Sequence, residues 1–486
     1  MFVKSIIAGI LFGFLAYIFF FYYNIKQTSV EDDLEQNIIL SWKNKVKFPA
    51  TRFRKLAVGI NSNVDYIVPG LDLLKKLGLT PGDMKDHKIL LSLNELQETF
   101  FHFFAKGSAA ERVYDNPDVF GQIRQTAESL DTIEQYIGGN AALIAAQTAA
   151  LFPNVKILFV GPVGPQLRSL MPDAIEIPES SRIASDEVHL IMEYQVGDSW
   201  GGVVTTVANR FISSYDESNS QLTMLDTFFE GVNTFQPDLI VISGLHLLDG
   251  QAAEFSGAKV RTLVAHLQAV PHLDPIHLEF ASMTNQAFVK QLVHEVLPNI
   301  DSLGLNEQEL FVSSAACGGP HSSDLGAEGQ PVIHKVTDII LWLLKTFGQS
   351  ETHPQSRLTR IHFHSLTYHI IGTKGLVWNN IQSAVAAGAS RASHQACDVE
   401  ELNSDIVDIK IPLRYKLFTG DEERDFNSSE PVTYFTREGY HFAFSPVLVC
   451  KKPLKTVGLG DAISATGLMY SEFMVKNTHL YGDDFF

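Results

Sequence analysis

The chain has 486 residues, of which 45% are hydrophobic and 19% charged, and its formal net charge is −18. This composition is ordinary for a globular protein and provides enough apolar residues for the core of a large enzyme. The net charge is negative, and the sequence contains no stripe of basic residues. Both observations argue against nucleic acid as a partner, because phosphate backbones are bound by clustered lysines and arginines.

The N-terminus carries a long apolar run. No residue from Ser5 to Ile25 is charged, and Ile6 to Tyr23 is almost wholly apolar and aromatic. A run of this length can cross a bilayer as a helix. It ends in aromatic residues and not in a small-residue cleavage site, which favours a signal anchor at residues 1–26 over a cleaved signal peptide.

An anchor of this kind predicts a protein of the endoplasmic reticulum membrane or lumen, with secretion after signal cleavage as the alternative. The N-S-S pattern at Asn427 is a glycosylation acceptor and is compatible with a lumenal catalytic part.

The three cysteines, Cys317, Cys397 and Cys450, form no C-x-x-C pair, so a zinc or redox motif is not indicated. They allow at most one disulfide within the chain, and the sequence leaves the pair open.

Residues 27–47 are mixed in charge and are predicted to form a linker before a catalytic domain at residues 48–486. Beyond Leu56, apolar runs of strand length alternate with helical patterns, which favours a mostly parallel sheet covered by helices on both faces. The predicted strands are Leu56–Ile60, Lys156–Val160, Val188–Tyr194, Leu239–Ser243, Ile276–Phe280, Arg360–Leu366 and Pro446–Cys450. The predicted helices are Leu222–Phe235, Val260–Val270, Gln286–Leu297, Val332–Phe347, Val377–Ser393 and Gly460–Met474.

Ligands of such sheets lie beyond the carboxyl ends of the strands, so polar residues at these positions indicate the site. Near the C-terminus, Gly458 and Gly460 form a glycine-rich turn that opens a helix just before Asp461. The free N–H groups of a helix's first turn bind an anion such as a phosphate. An acid at this point can accept the proton of a hydroxyl that attacks a phosphoryl group. The alternative is that Asp461 is only an N-cap.

Two glutamates follow strand-like runs. Glu309 lies three residues after Asn306 at the start of a predicted helix, and Glu279 lies within an otherwise apolar strand that also contains His277. Carboxylates at these positions can hold a hydrated magnesium ion that bridges phosphate oxygens. The alternatives are a helix-capping arrangement for Asn306 and Glu309 and a structural ion pair for Glu279.

Short polar residues follow the first strand and precede a small-residue helix. These residues are Asn63 and Asp65, and then Gly139 and Asn140. Asn and Asp side chains supply the paired acceptors and donors that adjacent sugar hydroxyls require. Ordinary turn chemistry is the alternative, since Asn, Asp and Gly are the usual turn residues.

The motifs occur in one order: N-x-N-x-D, G-G-N-A, H-x-E, N-x-x-E and finally V-G-L-G-D-A-I-S. In this order the sequence resembles the ADP-dependent glucokinases, the ADP-using branch of the ribokinase-like kinases, over nearly all of residues 50–486. The N-terminal apolar segment resembles the animal members. Supporting stretches are residues 107–112, 208–212, 277–285 and 360–365.

The resemblance implies a ribokinase-like α/β fold, with a central, mostly parallel sheet flanked by helices. It also implies a smaller, discontinuous lid at approximately residues 66–136 and 183–213. It implies that Asp461 is the general base and that one Mg²⁺ is held by Glu279 and Glu309 with Asp461 nearby. The residues implied to face the sugar are Asn63, Asp65, Glu111, Gly139 and Asn140, and those implied to bind the nucleotide phosphates are Gly458, Gly460 and Arg210.

The expected activity is transfer of the terminal phosphoryl group of ADP to the 6-hydroxyl of glucose, a glycolytic reaction that gives glucose 6-phosphate and AMP. The alternatives are an ATP-dependent sugar or nucleoside kinase of the same fold and a non-catalytic, lumenal sugar-binding protein. The expected partners are glucose, ADP and a membrane bound through the N-terminal segment, and the expected state is a monomer.

Overall fold

The computed structural model describes residues 33–323, 330–455 and 457–474. The predicted anchor at residues 1–26 lies outside these ranges. Within them, no helix has both the length and the apolar character needed to cross a bilayer.

The described residues form helices and strands that alternate along most of the chain. The α-helices are α1 Leu34–Lys45, α2 Gly70–Lys76, α3 Leu93–Lys106, α4 Pro117–Glu128, α5 Asn140–Leu151, α6 Pro165–Leu170, α7 Leu225–Phe235, α8 Ala253–Ala269, α9 Gln286–Glu295, α10 Glu307–Cys317, α11 Ile333–Thr346, α12 Ile381–Cys397 and α13 Leu459–Met469. Short 3₁₀ turns lie at Glu179–Ser181, Leu245–Leu248 and Leu297–Asn299.

The strands build two main sheets and several two-stranded ones. They are β1 Lys55–Ile60, β2 Asn63–Pro69, β3 Ile89–Leu90, β4 Ala110–Tyr114, β5 Glu134–Gly138, β6 Lys156–Val160, β7 Ile175–Glu176, β8 Val188–Tyr194, β9 Ser199–Trp200, β10 Val203–Val204, β11 Asn209–Ser214, β12 Leu239–Ser243, β13 Ile276–Glu279, β14 Ser302–Leu305, β15 Arg360–His364, β16 Tyr368–Lys374, β17 Trp378–Asn379, β18 Val407–Ile409, β19 Arg414–Tyr415, β20 Arg424–Asp425, β21 Thr433–Arg437, β22 Tyr440–Pro446, β23 Leu448–Cys450 and β24 Glu472–Phe473.

The larger sheet has ten strands in the order β21-β22-β16-β15-β14-β13-β12-β1-β6-β7. From β15 to β7 all neighbours are parallel, and the three strands at the other edge run antiparallel. Apolar clusters cover both faces of this sheet, which explains why strands such as Leu239–Ser243 are buried along their whole length. The predicted α/β class with a mostly parallel central sheet is confirmed.

The smaller sheet has six strands in the order β3-β4-β11-β8-β2-β5. Its residues lie between 63 and 138 and between 188 and 214, which overlap the two segments predicted to form the lid. Only Asn61 and Ser62 separate β1 of the larger sheet from β2 of the smaller sheet, so the two sheets meet at this point. Closure of the smaller sheet over a ligand stays a prediction.

Two predicted strands lie elsewhere than in the central sheet. Val188–Tyr194 forms a strand, but it pairs with β2 and β11 in the smaller sheet. Of Pro446–Cys450, only Leu448–Cys450 continues as β23, which pairs with Val407–Ile409 outside the large sheet. Periodicity identifies a strand but does not identify its partner, because pairing is decided by contacts that are distant in sequence.

The predicted linker at residues 27–47 is wrong for its second half. Residues 34–45 form α1, in which Ile38, Ile39 and Trp42 are buried. The Trp42 indole donates a hydrogen bond of 3.1 Å to the Ser445 hydroxyl in the large sheet. The helix is therefore part of the folded domain, and the domain begins before residue 48.

Two predicted helices differ from the observed ones for a local reason. The sequence predicts a helix at Val377–Ser393, but Trp378–Asn379 forms β17 and the helix α12 begins at Ile381. The sequence also predicts a helix at Gly460–Met474, but α13 ends at Met469 because Glu472–Phe473 pairs with β17. One two-stranded ribbon thus shortens both helices.

The sequence does not specify which cysteines form a disulfide, and in the structure the bonded pair is Cys397–Cys450. This disulfide joins the end of α12 to β23, and Cys317 is a free, partly exposed thiol. Helices α12 and α13 pack against each other and α13 also packs against α5. This layer covers the face of the large sheet on which the predicted catalytic residues lie.

Candidate active site

Asp461 lies in the first turn of α13, whose N-cap is Gly458. Gly458 has a φ of +64°, a left-handed conformation that glycine adopts without strain. Asp461 is the third residue of the helix and not the N-cap, so the capping alternative for this residue is not what the structure contains. Gly460 lies between them, against the ring of His364. The turn presents the free N–H groups expected of an anion site.

The Asp461 carboxylate is buried and contacts the sugar-side motif. The Asn140 amide, at the first position of α5, donates to Asp461 Oδ1 over 3.0 Å. Burial, with the negative charge of Glu279 nearby, raises the pKa of Asp461 to about 7. A carboxylate whose pKa lies near neutrality suits a general base, since it both accepts and releases a proton under working conditions.

Glu279 ends β13 and is buried among hydrogen-bond donors. His277 Nε2 lies 3.0 Å from Oε2 and His364 Nε2 lies 2.9 Å from Oε1, and the Ser464 hydroxyl also donates to Oε2. Gly304 on the neighbouring strand leaves the space for this carboxylate, because a Cβ there would lie 1.9 Å from Oε2. Burial alone would raise the pKa of Glu279, but the two imidazoles lower it to about 2.

Asn306 and Glu309 form a capping box, the alternative to a metal-binding role for this pair. The Asn306 side chain accepts from Glu309 N, and the Glu309 carboxylate accepts from Asn306 N over 2.8 Å and from its amide over 2.9 Å. Burial raises the pKa of Glu309 to about 7, and the charge of Glu279 adds to this shift. Glu309 is therefore within electrostatic reach of Glu279.

The fit of these carboxylates to a metal depends on how many oxygens remain free. In residues 33–323, 330–455 and 457–474, no three His, Cys, Asp or Glu side chains are grouped to hold an ion by themselves. Glu279 and Glu309 already accept hydrogen bonds on both oxygens. The arrangement fits a hydrated Mg²⁺, which keeps several waters and takes its other ligands from phosphates. It does not fit an all-protein metal cage.

The sugar-side residues meet where the two sheets join. The Asn63 amide donates to Asp65 Oδ1 over 2.7 Å, and Asn63 pairs in register with Gly138 of β5. Gly139 follows as the N-cap of α5, which places Asn140 against Asp461. The structure thus brings Asn63, Asp65, Gly139 and Asn140 to one place, next to the predicted base.

Glu111 and Arg210 lie on the smaller sheet, on β4 and β11. Glu111 is exposed, and its neighbour Arg112 pairs with Asp86 over 2.6 Å. Burial and the charge of Glu111 raise the pKa of Asp65 to about 6, against the opposing effect of Arg210. Both residues therefore act electrostatically on Asp65.

A cleft of about 980 Å³ lies between the smaller sheet and the α5–α12 layer. Tyr136 and Arg210 line it on one side, and Arg391, Lys455 and Val457 line it on the other. Val457 immediately precedes Gly458, so the cleft leads to the anion-binding turn. This places Arg210, predicted to reach a phosphate, across the cleft from that turn.

His189 and Asp216 belong to the sugar side and were not predicted. His189 pairs in register with Asp65, and its Nε2 lies 2.8 Å from Asp216. Burial alone would lower the pKa of His189, but Asp216, Glu111 and Asp65 raise it to about 10. The available signal was a histidine inside the apolar run Val188–Tyr194, since a polar group in a buried strand needs a partner.

A family model for the conserved region of ADP-specific phosphofructokinase/glucokinase matches residues 54–470. The chain belongs to this family. It is 46% identical over 442 residues to the ADP-dependent glucokinase of Bos taurus, which covers 90% of this chain and 88% of that protein. It is 38% identical over 478 residues to the probable ADP-dependent glucokinase of Caenorhabditis elegans, which covers 96% and 95%.

Family membership agrees with the fold. A hypothetical ADP-dependent phosphofructokinase from Pyrococcus horikoshii OT3 has a solved structure that matches with a TM-score of 0.64 at 16% identity, over 87% of this chain and 98% of that one. At this identity the likeness concerns the fold. The resemblance that the ordered motifs indicated is confirmed, and with it the class of phosphotransferase.

Proposed function

We propose that this protein transfers the terminal phosphoryl group of ADP to the 6-hydroxyl of glucose, releasing glucose 6-phosphate and AMP. The observation that carries the proposal is the Asn140–Asp461 hydrogen bond, which joins the sugar-side motif to the anion-binding turn of α13. The choice of ADP as phosphoryl donor and of glucose as phosphoryl acceptor follows from the relatives named ADP-dependent glucokinase, which match over nearly the whole chain.

In the proposed mechanism, Asn63 and Asp65 bind sugar hydroxyls at the junction of the two sheets. Asp461 accepts the proton of the 6-hydroxyl as it attacks the phosphoryl group. The N–H groups at Gly458 and Gly460 hold the transferred phosphoryl group, and Arg210 contributes a positive charge from across the cleft. Burial of Asp461 excludes water, which would otherwise compete as an acceptor.

Magnesium is part of the proposal. When bound with the nucleotide, Mg²⁺ neutralises phosphate charge. Glu279 and Glu309 would hold it, through water or their remaining lone pairs, with Asp461 nearby. Glu279 stays ionised because His277 and His364 donate to it, so it offers a fixed negative charge to the ion.

The deciding experiment assays the full chain with glucose and with fructose 6-phosphate, each with Mg²⁺ and either ADP or ATP. We expect glucose 6-phosphate and AMP from glucose and ADP, and far lower rates in the other combinations. Faster turnover with ATP would favour the ATP-dependent kinase. Glucose binding without turnover in any combination would favour the sugar-binding protein.

We also propose that the N-terminal segment anchors the enzyme in the endoplasmic reticulum with its catalytic part in the lumen. The Cys397–Cys450 disulfide supports an oxidising compartment. Asn427 is exposed, as an acceptor of glycans must be. Extraction should need detergent, and glycosidase should reduce the mass of the wild type but not of Asn427→Gln. Release by a carbonate wash would favour a cleaved signal peptide and secretion.

A further inference from the structure

A line of buried polar side chains crosses three neighbouring strands of the large sheet. His277 of β13 pairs in register with Ser302 of β14, which pairs in register with Arg360 of β15. All three residues are fully buried. Polar groups are uncommon at such positions, and each needs a hydrogen-bond partner to offset its desolvation.

Arg360 is the unusual member of this line. Its guanidinium donates to the Ser302 hydroxyl over 2.8 Å and lies 5.4 Å from the Trp378 ring. Nε and the other terminal nitrogen have no hydrogen-bond partner in the described part of the chain. Burial lowers its pKa to about 9, which leaves it charged at neutral pH. A buried cation without a paired carboxylate is costly for stability, so its presence calls for another explanation.

The hydrogen bonds leave one favoured arrangement of protons. Arginine only donates, so the Ser302 oxygen accepts from Arg360 and its own proton is free to point to His277 Nδ1, 2.9 Å away. At the other side of the ring, Nε2 lies 3.0 Å from Glu279, an acceptor, so Nε2 must carry the proton. A second proton on Nδ1 would place another cation beside Arg360 in the core.

The line ends at the helix that carries the predicted base. Glu279 Oε2 accepts from His277 and from Ser464 of α13, and Oε1 accepts from His364. Ser464 lies three residues after Asp461, one turn further along α13. The direction of the Glu279 carboxylate therefore bears on both the predicted magnesium site and the seating of Asp461.

We propose that Arg360, acting through Ser302, is a positioning residue: it holds His277 in the Nε2-protonated tautomer and so orients Glu279 and α13. The inference rests on the proposed function for its consequences in catalysis. The order of hydrogen bonds itself does not depend on that function. Arg360 and Ser302 touch no reacting atom and act only through the carboxylate.

The test compares three variants of the full chain. Ser302→Ala breaks the line but keeps Arg360 and His277, and Ser302→Thr keeps the hydroxyl. Ser445→Ala is the matched control, because Ser445 is also a fully buried serine of this sheet that holds a hydrogen bond, in its case from Trp42. The first measurement is the ¹⁵N shift of the His277 ring without metal or nucleotide, assigned with His277→Gln. The second is the half-saturating Mg²⁺ concentration.

We expect the wild type and Ser302→Thr to show a proton on Nε2 of His277. We expect Ser302→Ala to show a mixture of the Nε2-protonated and Nδ1-protonated tautomers. Ser302→Ala should raise the half-saturating Mg²⁺ concentration by about tenfold, the lower end of the effect of orienting partners, and Ser302→Thr should restore it to within about twofold. Ser445→Ala should lower thermal stability without changing either measurement.

A wild-type ring protonated on Nδ1 would overturn the proposal, even if Ser302→Ala did not fold. So would Ser302→Ala behaviour equal to that of Ser445→Ala in both measurements, or a changed tautomer with an unchanged Mg²⁺ requirement. Absence of any wild-type turnover would instead count against the proposed function, and the ring spectrum would still decide the hydrogen-bond order.

Discussion

Asp461 at the start of α13 and Glu279 at the end of β13 are both buried carboxylates, and the charge of Glu279 acts on Asp461. Their pKa values nevertheless move in opposite directions, to about 7 for Asp461 and to about 2 for Glu279. Glu279 accepts from two imidazoles and a hydroxyl, while Asp461 accepts one side-chain hydrogen bond from the neutral Asn140 amide.

The difference indicates two roles for neighbouring acids. Donors fix the charge of Glu279, which suits an electrostatic anchor for a cation. Burial and the charge of Glu279, only partly offset by Asn140 and His364, raise the pKa of Asp461 to about 7, which suits a group that takes up and releases a proton. The four predictions below test this division.

The largest expected effect is that of Asp461→Asn on turnover. A positioned base contributes about 10²–10⁴ in rate, so turnover should fall by roughly a hundredfold or more. Glucose affinity, measured by calorimetry, should change little, because the sugar-side residues remain. Near-normal turnover in a folded variant would reduce Asp461 to a structural residue of the helix start.

Glu279→Gln should raise the half-saturating Mg²⁺ concentration by about tenfold or more, since losing a group that holds or orients a metal ligand typically costs about 10–100-fold in metal affinity. Glu309→Gln should raise it less, because Glu309 is already engaged in the capping box of α10. Rate is titrated against Mg²⁺ in both variants. Unchanged half-saturation in both would remove the carboxylates from the metal site.

Glu111→Ala extends the comparison to an exposed acid on the smaller sheet. If Glu111 accepts hydrogen bonds from glucose, the variant should lose about 2 kcal/mol in kcat/KM for glucose through unpaired polar groups. An exposed ion pair alone would be worth only about 0–1 kcal/mol. The two kcat/KM values, for glucose and for fructose 6-phosphate, are measured in wild type and variant. Unchanged glucose kinetics would refute the role.

The smallest expected effect is on the free energy of unfolding, which Asp461→Asn should raise and Glu279→Gln should lower. The pKa of Asp461 is raised from 3.8 to about 7, so ionising it destabilises the native state increasingly as pH rises through this window. Asp461→Asn should therefore stabilise the protein by about 1–2 kcal/mol near pH 8 and by less near pH 5.

The pKa of Glu279 is lowered from 4.5 to about 2, so its stabilising contribution is complete above about pH 4.5 and is lost as pH falls toward 2. Glu279→Gln should destabilise by about 1–3 kcal/mol at both pH values. Thermal unfolding of the two variants at the two pH values measures this. A shift of the same sign for both would contradict the division of roles.

By itself, the sequence determined the fold class and the position of Asp461. Apolar runs such as Leu239–Ser243 predict buried parallel strands because their periodicity is local. The glycine-rich turn before Asp461 predicts a helix start because turn residues are also a local signal. The order of the motifs along the chain indicated the family. The linker prediction is wrong for the residues of α1, because their composition is mixed in charge. The helix joins the core through tertiary contacts, among them the hydrogen bond from Trp42 to Ser445.

Only the tertiary structure decided which polar residues meet. Asp461 and Asn140 are 321 residues apart, and the disulfide joins Cys397 to Cys450, a pair the sequence left open. His189 and Asp216, and the line from Arg360 to Glu279, depend on strand register, which patterns along one strand do not specify. The pKa values follow from burial and charges across the sheets, so the opposite pKa shifts of Asp461 and Glu279 arise only in the folded molecule.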